Sequence, residues 1–327
     1  MRHRTILGTS VALTELGFGA SVIGNLGRPT PDSEAQAAVD TAWAAGIRYF
    51  DTAPHYGLGL SERRLGTALA RRPRDTYVVS SKVGRLLVPN PRPQGRDPEG
   101  FAVPDDHVRR WDFSRDGVLR SIEDTLTRTG LDRLDIVYVH DPDEHWQQAA
   151  AEAIPALAEL RDQGVVGAIG AGMNQSTMLA RFLRETAADV VMLAGRYTLL
   201  DQGALDDVLP TAIELGKSVV AVGVFNSGLL SRERPTTNLT YDYQPAAPEL
   251  LARAEAIADV CEAFGTTLPA AAVAFPLHHP AVVNVTLGMR TPGQVVRNTT
   301  LHDRPVPDGL WEELRARRLI RLDAPTG

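Results

Sequence analysis

A chain of 327 residues with a formal net charge of -6 is long enough to bury a sizeable core, as one large α/β barrel or as two smaller domains. Acidic and basic residues are mixed along it without a long basic block, so nucleic acid is not expected as a partner. A single cysteine, Cys261, excludes an internal disulfide framework, and no apolar run reaches membrane-spanning length, so a cytoplasmic protein with no membrane partner is expected.

In chain order, the basic start Met1–Arg4 is followed by Gly8, Thr9 and Glu15, a pattern unlike a signal peptide. Residues 4–13, with a turn near Gly8, are expected to form a hairpin. Short β-branched, apolar runs then recur at 16–20, 47–51, 77–82, 134–140, 166–171, 190–194, 218–225 and 282–287. Several are continuously apolar, as a sheet covered on both faces requires.

Helical stretches separate these runs. Ser33 with Gln36 three residues on reads as a capping box, and Gly46 as the stop. Ser61 reads as the cap of the next helix, with Leu65 and Leu69 on one face. Residues 116–129 carry Val118, Leu119, Ile122 and Leu126 at helical spacing, and similar patterns occupy 152–163, 176–185, 205–215 and 250–264. Cys261 falls in the last of these and reads as a small buried hydrophobe. Thr291-Pro292 is a cap followed by proline at the first helical position. Two connections are long: 84–110, rich in proline and glycine, and 226–248, polar with Tyr241 and Tyr243. Both read as loops on the active face.

Eight strands alternating with helices predict a (β/α)8 TIM barrel over residues 1–327, one domain whose floor the N-terminal hairpin closes. The rival, a doubly wound sheet, should show G-x-G-x-x-G after its first strand; Gly167, Gly170 and Gly172 have the wrong spacing.

Chemistry in a barrel belongs at the C-terminal strand ends. IRYFDTAPHYG ends its run at Asp51, with Tyr56 on the following loop. TYVVSSKVG ends in Lys82, and LDIVYVHDPD in His140. A phenol titrates near 10, and a neighbouring ammonium lowers that value by stabilising the phenolate. An aspartate holds the ammonium, and a neutral histidine orients a carbonyl oxygen. Tyrosine then serves as acid or base, and hydride transfer requires a nicotinamide cofactor. Alone, each residue reads as a cap, a solvated charge or a packed ring; clustered, they read as a site. Asp51, His55, His140 and Asp141 are also possible metal ligands, but no H-x-H pair stands at a strand end and no metal is expected.

With these boxes in order, from LGFGA at Leu16 through FDTAPHYG, SSKVG and VHDPD to GMRTPGQVVRN at Gly288, the chain resembles the aldo-keto reductases. The resemblance implies a (β/α)8 barrel that binds NADP or NAD without a Rossmann motif. It implies Tyr56 as proton donor or acceptor, Lys82 and Asp51 as its electrostatic support, and His140 as the substrate-orienting residue. Asn174 matches the nicotinamide carboxamide contact and Arg196 stands where the family often has glutamine for it; Phe225, Asn226, Ser227 and Leu229 match the loop around the pyrophosphate, and Arg290, Gln294 and Asn298 the adenosine segment, with Gly19 beside them. Val222 stands where many members place an aromatic, and Gly288 and Gln294 where many place cations for a 2′-phosphate. Those losses lean toward NAD, although Arg290 remains able to pair with a 2′-phosphate.

Longer stretches, RYFDTAPHYGLGLSERRLG, SKVGRLLVPNP, WDFSRDGVLRS, LAGRYTLLDQ and GVFNSGLL, resemble the L-fucose and D-threo-aldose 1-dehydrogenase branch. That branch oxidises the anomeric carbon of a sugar to a lactone. The expected partner is therefore a small-molecule substrate, with His55, Trp111 and Phe113 as candidate contacts. A carbonyl reductase or a pyridoxal 4-dehydrogenase is the alternative within the family. A cofactor-sensing regulatory subunit is the alternative outside enzymes, which the intact Asp51, Tyr56, Lys82 and His140 oppose. The oligomeric state is not legible.

Overall fold

The computed structural model describes residues 1–236, 240–241 and 244–326. Strands β1 (His3–Thr5) and β2 (Ala12–Thr14) pair antiparallel, and Gly8 turns between them with φ 78°, a conformation that favours glycine. This is the expected hairpin. Leu13 and Ile6 are buried beneath the barrel, so the hairpin is its floor.

Strand β3 (Leu16–Gly19) leads to helix α1 (Asp32–Ala44), then β4 (Tyr49–Asp51), α2 (Leu60–Leu69) and β5 (Val78–Val83). A hairpin of β6 (Arg85–Pro89) and β7 (His107–Trp111) precedes α3 (Arg115–Thr129) and β8 (Ile136–His140). A helix opening at α4 (Trp146–Gln148) passes through a π turn into α5 (Ile154–Asp162), and β9 (Ala168–Met173), α6 (Ser176–Glu185), β10 (Val190–Ala194), α7 (Val208–Glu214) and β11 (Ser218–Val222) follow. After the short β12 (Thr240–Tyr241) and β13 (Gln244–Pro245) come α8 (Pro248–Ala263), α9 (Leu268–Ala274), β14 (Val282–Gly288), α10 (Pro292–Asp303) and α11 (Asp308–Ala316).

Eight strands, β3, β4, β5, β8, β9, β10, β11 and β14, close a parallel barrel in that order. They are the eight predicted runs. Two cores result. One lies between strands and helices. The other fills the lumen with Tyr49, Tyr138, Val190, Met192 and Val220 above the floor hairpin. Gly17 makes room there: a Cβ on it would lie 2.8 Å from the Tyr49 ring and 2.4 Å from Thr286 Oγ1.

Several sequence expectations change. Helix α1 begins after Pro31, with no side-chain cap; Gln36 reaches forward to Asp40 instead of back to Ser33. Ser61 does not cap α2, which starts after Gly59 in a left-handed conformation. Its buried hydroxyl donates to the Ala20 carbonyl and bonds Thr52, pinning the loop after β4. Residues 84–110 are not a structureless loop, because β6 and β7 pair over five residues. The predicted start at 152 moves back to Trp146, and α9 and α11 were not anticipated. Thr291 caps α10 as expected, accepting from Gln294 N–H, a bond worth about 1 kcal/mol. Cys261 is fully buried in α8, and burial pushes its thiol up to about 12. Tyr243 lies outside the described residues. Among them, no single helix is long and apolar enough to cross a membrane.

Candidate active site

Strand register places the first part of the site. Asp51 stands opposite Ser80, Lys82 opposite Tyr138, and His140 opposite Gly172. Alternation along each strand turns Asp51, Lys82 and His140 toward the barrel axis at its C-terminal mouth. Tyr56 enters from the loop after β4. The four residues meet as the sequence predicts.

Lys82 Nζ donates to Asp51 Oδ1 and Oδ2 at 2.8 and 2.7 Å and to the Thr52 carbonyl at 3.0 Å. Both partners are buried. The ammonium lies 4.8 Å from the centre of the Tyr56 ring. Burial acts to lower Lys82, but Asp51 and Tyr56 outweigh it and hold the ammonium above the usual lysine value. Tyr56 behaves differently from the expectation. Burial raises its phenol, and Lys82 counters only part of that rise, so the hydroxyl stays above its ordinary value. The phenol is therefore a protonated donor in the unliganded protein at neutral pH.

His140 packs edge-on against Tyr56, with ring centres 5.9 Å apart, and against His55 at 5.6 Å. Burial, followed by the charge of Arg85, drives His140 well below the ordinary histidine value, and the same two causes take His55 to about 2. Both imidazoles are neutral in any physiological buffer. His140 Nδ1 is buried with no hydrogen-bond partner among the described residues.

Tyr56 and His140 border a cleft of about 300 Å³. Its far wall is Gly172, Met173, Asn174, Met192, Ala194 and Val222. This wall is apolar except for the Asn174 carboxamide, which suits a flat heteroaromatic ring carrying an amide. Asn174 and Val222 are thus where the sequence put them.

The loop after β11 holds two residues in the left-handed region: Asn226 and Ser227 have φ 44° and 56°. Asn226 donates to the Gly195 carbonyl at 3.2 Å, while its buried Oδ1 has no hydrogen-bond partner among the described residues. Gly19 lies at the end of β3, opposite Asp51. Leu229 is fully buried, so its side chain offers packing alone, and Phe225 is half-buried. Arg196 sits 3.5 Å from Asp201 and 3.3 Å from the Tyr241 hydroxyl. Asn298 is buried on α10, and Gln294 Oε1 accepts from Arg290 N–H at 2.7 Å. Arg290 bonds inward, to the Arg28 carbonyl, the Thr30 hydroxyl and the Leu26 carbonyl. It clasps the loop after β3.

The substrate candidates divide. His55 lines the cleft. Trp111 is 43% exposed and stacks on Phe113 with centres 5.8 Å apart, but Phe113 lies wholly buried beneath it and presents no surface to a ligand. Residues that sequence reasoning passed over surround His55. Arg85 Nη1 lies 3.3 Å from His55 Nδ1, its other amino group pairs with Asp141, and Trp111 covers its guanidinium. Arg109 donates to the His55 carbonyl at 2.9 Å and forms a two-pronged pair with Asp97. Only the SKVGR string, placing Arg85 just beyond Lys82, could have signalled this layer.

A parallel barrel bearing a lysine-supported tyrosine and a neutral histidine at its mouth defines an oxidoreductase that couples proton movement to hydride transfer with a nicotinamide cofactor. The Aldo/keto reductase family model matches residues 15–317, and the chain belongs to that family. It is 48% identical over 314 residues to a D-threo-aldose 1-dehydrogenase from a Pseudomonas species, covering 95% of each chain. It is 36% identical to pyridoxal 4-dehydrogenase of Microbacterium luteolum, covering 97% of each. Among solved structures, the glycerol dehydrogenase AKR11B4 of Gluconobacter oxydans has the same fold, with TM-score 0.78 at 24% identity over 98% of this chain and 97% of that one.

Proposed function

We propose that this chain is an NAD(P)-dependent dehydrogenase that oxidises the anomeric carbon of an aldose to a lactone. The observation that carries the chemistry is the buried Asp51–Lys82 pair beside Tyr56 and neutral His140. The 48% identity with a D-threo-aldose 1-dehydrogenase supports the sugar.

A bound nicotinamide cofactor would supply the hydride acceptor for the anomeric carbon. Asn174 would hold its carboxamide, and Met192, Ala194 and Val222 would supply the apolar wall. Asn226, whose buried oxygen has no hydrogen-bond partner among the described residues, and Ser227 would take the loop around the pyrophosphate. His140, neutral because it is desolvated, hydrogen-bonds the anomeric oxygen without adding charge. In oxidation the Tyr56 phenolate, the minor form that Lys82 stabilises, takes the proton from that oxygen, and in reduction the phenol gives it back. The inward commitment of Arg290 favours NAD over NADP.

Two measurements test this reading. Tyr56→Phe should lower turnover by about a thousandfold or more while leaving cofactor affinity nearly unchanged, as measured by fluorescence titration. A variant with most of its rate would remove Tyr56 from the reaction. A panel of sugars and carbonyl compounds, assayed with both cofactors in both directions, tests the substrate. Failure to oxidise L-fucose or D-arabinose, with turnover of pyridoxal, would favour the second reading that the 36% relative supports.

A further inference from the structure

A chain of three buried hydroxyls in the barrel lumen below Asp51 has no part in the reaction described so far. Ser80, Tyr49 and Tyr138 are all fully buried. Ser80 Oγ donates to Asp51 Oδ1 at 2.7 Å. Tyr49 OH lies 2.9 Å from Ser80 Oγ, and Tyr138 OH 3.4 Å from Tyr49 OH.

The direction of the bonds follows from counting hydrogens. Ser80 has one, given to the carboxylate, so it must accept from Tyr49. Tyr49 has then used its hydrogen and must accept from Tyr138. Burial holds both phenols above their ordinary values, so both stay protonated donors. The chain runs one way, Tyr138 to Tyr49 to Ser80 to Asp51, and each donation polarises the next. Gly17 keeps this arrangement possible, since any side chain there would meet the Tyr49 ring.

We propose that Ser80 and Tyr49 are positioning residues that fix the Asp51 carboxylate and screen its charge, so that Lys82 acts on Tyr56 with more of its own positive field. Asp51 needs this support because it is sealed from water and must serve a lysine that also serves a tyrosine. The arrangement is asymmetric: Asp51 Oδ1 receives Lys82 and Ser80, and Oδ2 receives Lys82. Without the serine hydroxyl, less of the carboxylate charge is screened, and it opposes the phenolate more strongly.

The other groups facing Tyr56 are Lys82 from β5, Asp51 from β4, Asp141 and His140 from the end of β8, and His55 from its own loop. Arg85, Glu99 and Arg109 from the covering hairpin stand behind His55. Among the described residues, Arg85, Glu99 and Arg109 share no hydrogen bond with Ser80 or Tyr49, so the lumen variants leave that upper layer intact.

This inference rests on the reading of Tyr56 as the proton carrier, and its test has a readout free of turnover. The phenolate absorbance of the unliganded protein is titrated, with Tyr56 isolated by subtracting the same protein carrying Tyr56→Phe. Ser80→Ala should move the Tyr56 titration upward by about half to one pH unit, with the alkaline rise of the oxidation rate moving alongside it. Tyr49→Phe, which keeps the ring and its packing, should give a smaller upward shift, and Tyr138→Phe the smallest. Ser80→Thr should restore the original value. No shift, or a downward one, in both Ser80→Ala and Tyr49→Phe overturns the proposal. Should Ser80→Ala fail to fold, Tyr49→Phe alone decides. A fully active Tyr56→Phe protein would instead refute the proton-carrier reading, whatever the titrations show.

Discussion

Two polar layers meet at Tyr56, and they are built from opposite materials. Below it, in the lumen, Asp51 is steadied by the neutral hydroxyls of Ser80, Tyr49 and Tyr138. Above it, under the β6–β7 hairpin, Arg85, Arg109, Asp97, Glu99 and Asp141 make a charged layer around His55 and His140. The difference follows solvent. The lumen hydroxyls have no exposure, whereas the Asp141 and Glu99 side chains are 37% and 46% exposed. Where water cannot reach, neutral donors steady a charge without adding another to desolvate. Where the cleft edge is wet, ions are affordable, and their positive members add to the burial that keeps both histidines neutral.

The comparison is broken most severely at the one cation of the lower layer. Lys82→Met leaves Asp51 buried with only Ser80, and should cost about 3–5 kcal/mol of stability together with a loss of turnover of at least about a thousandfold. Denaturant melts and kinetics check both. Adding Asp51→Leu should recover much of the stability and none of the activity. A Lys82→Met protein within tenfold of the parent rate would dissolve the distinction between the layers.

A smaller effect is expected in the upper layer. Arg109 and Asp97 are its most enclosed pair, with side chains 4% and 1% exposed. Arg109→Leu should cost about 3 kcal/mol, because it strands a buried carboxylate and frees the hairpin segment that seats Phe101 against His55 and Tyr56. Substrate KM should rise more than kcat falls. Equal loss of both would place Arg109 in the chemistry of the reaction.

The smallest test uses acid. His55 titrates near 2 in the fold against 6.5 in the open chain, so its contribution is complete above about pH 6.5 and is lost as pH falls toward its folded value. His140 behaves in the same sense. Stability should therefore decline as pH falls below about 6.5, with both histidines acting in the same direction. His55→Asn should flatten that slope in melts run across the acid range. An unchanged slope would mean that the upper layer does not hold His55 neutral.

The legibility of these regions in sequence was unequal, for physical reasons. All eight barrel strands were readable because continuous apolar runs are what a doubly covered sheet demands. Asp51, Lys82 and His140 were readable because ionisable groups at the ends of such runs are uncommon. Ser80 was not, since serine in a strand is bland until its partner across the register is known to be Asp51. The hairpin was hidden because the Pro/Gly-rich 90–106 tip dominates the composition of a segment whose ends pair. Helix starts at Ser33 and Ser61 were misplaced because Gln36 reaches forward to Asp40 and the Ser61 hydroxyl turns to the distant Ala20 carbonyl instead of capping its own helix. Arg290 looked available to a ligand, and only the fold shows its guanidinium turned to Leu26, Arg28 and Thr30.

The floor hairpin carries a practical consequence. It brings Met1 beside Gly46, at the entry to β4, which is the opposite pole of the barrel from Tyr56 and His140. A bead or electrode coupled through the first residue would therefore hold the molecule with its mouth toward the solution, leaving the path for small molecules unobstructed.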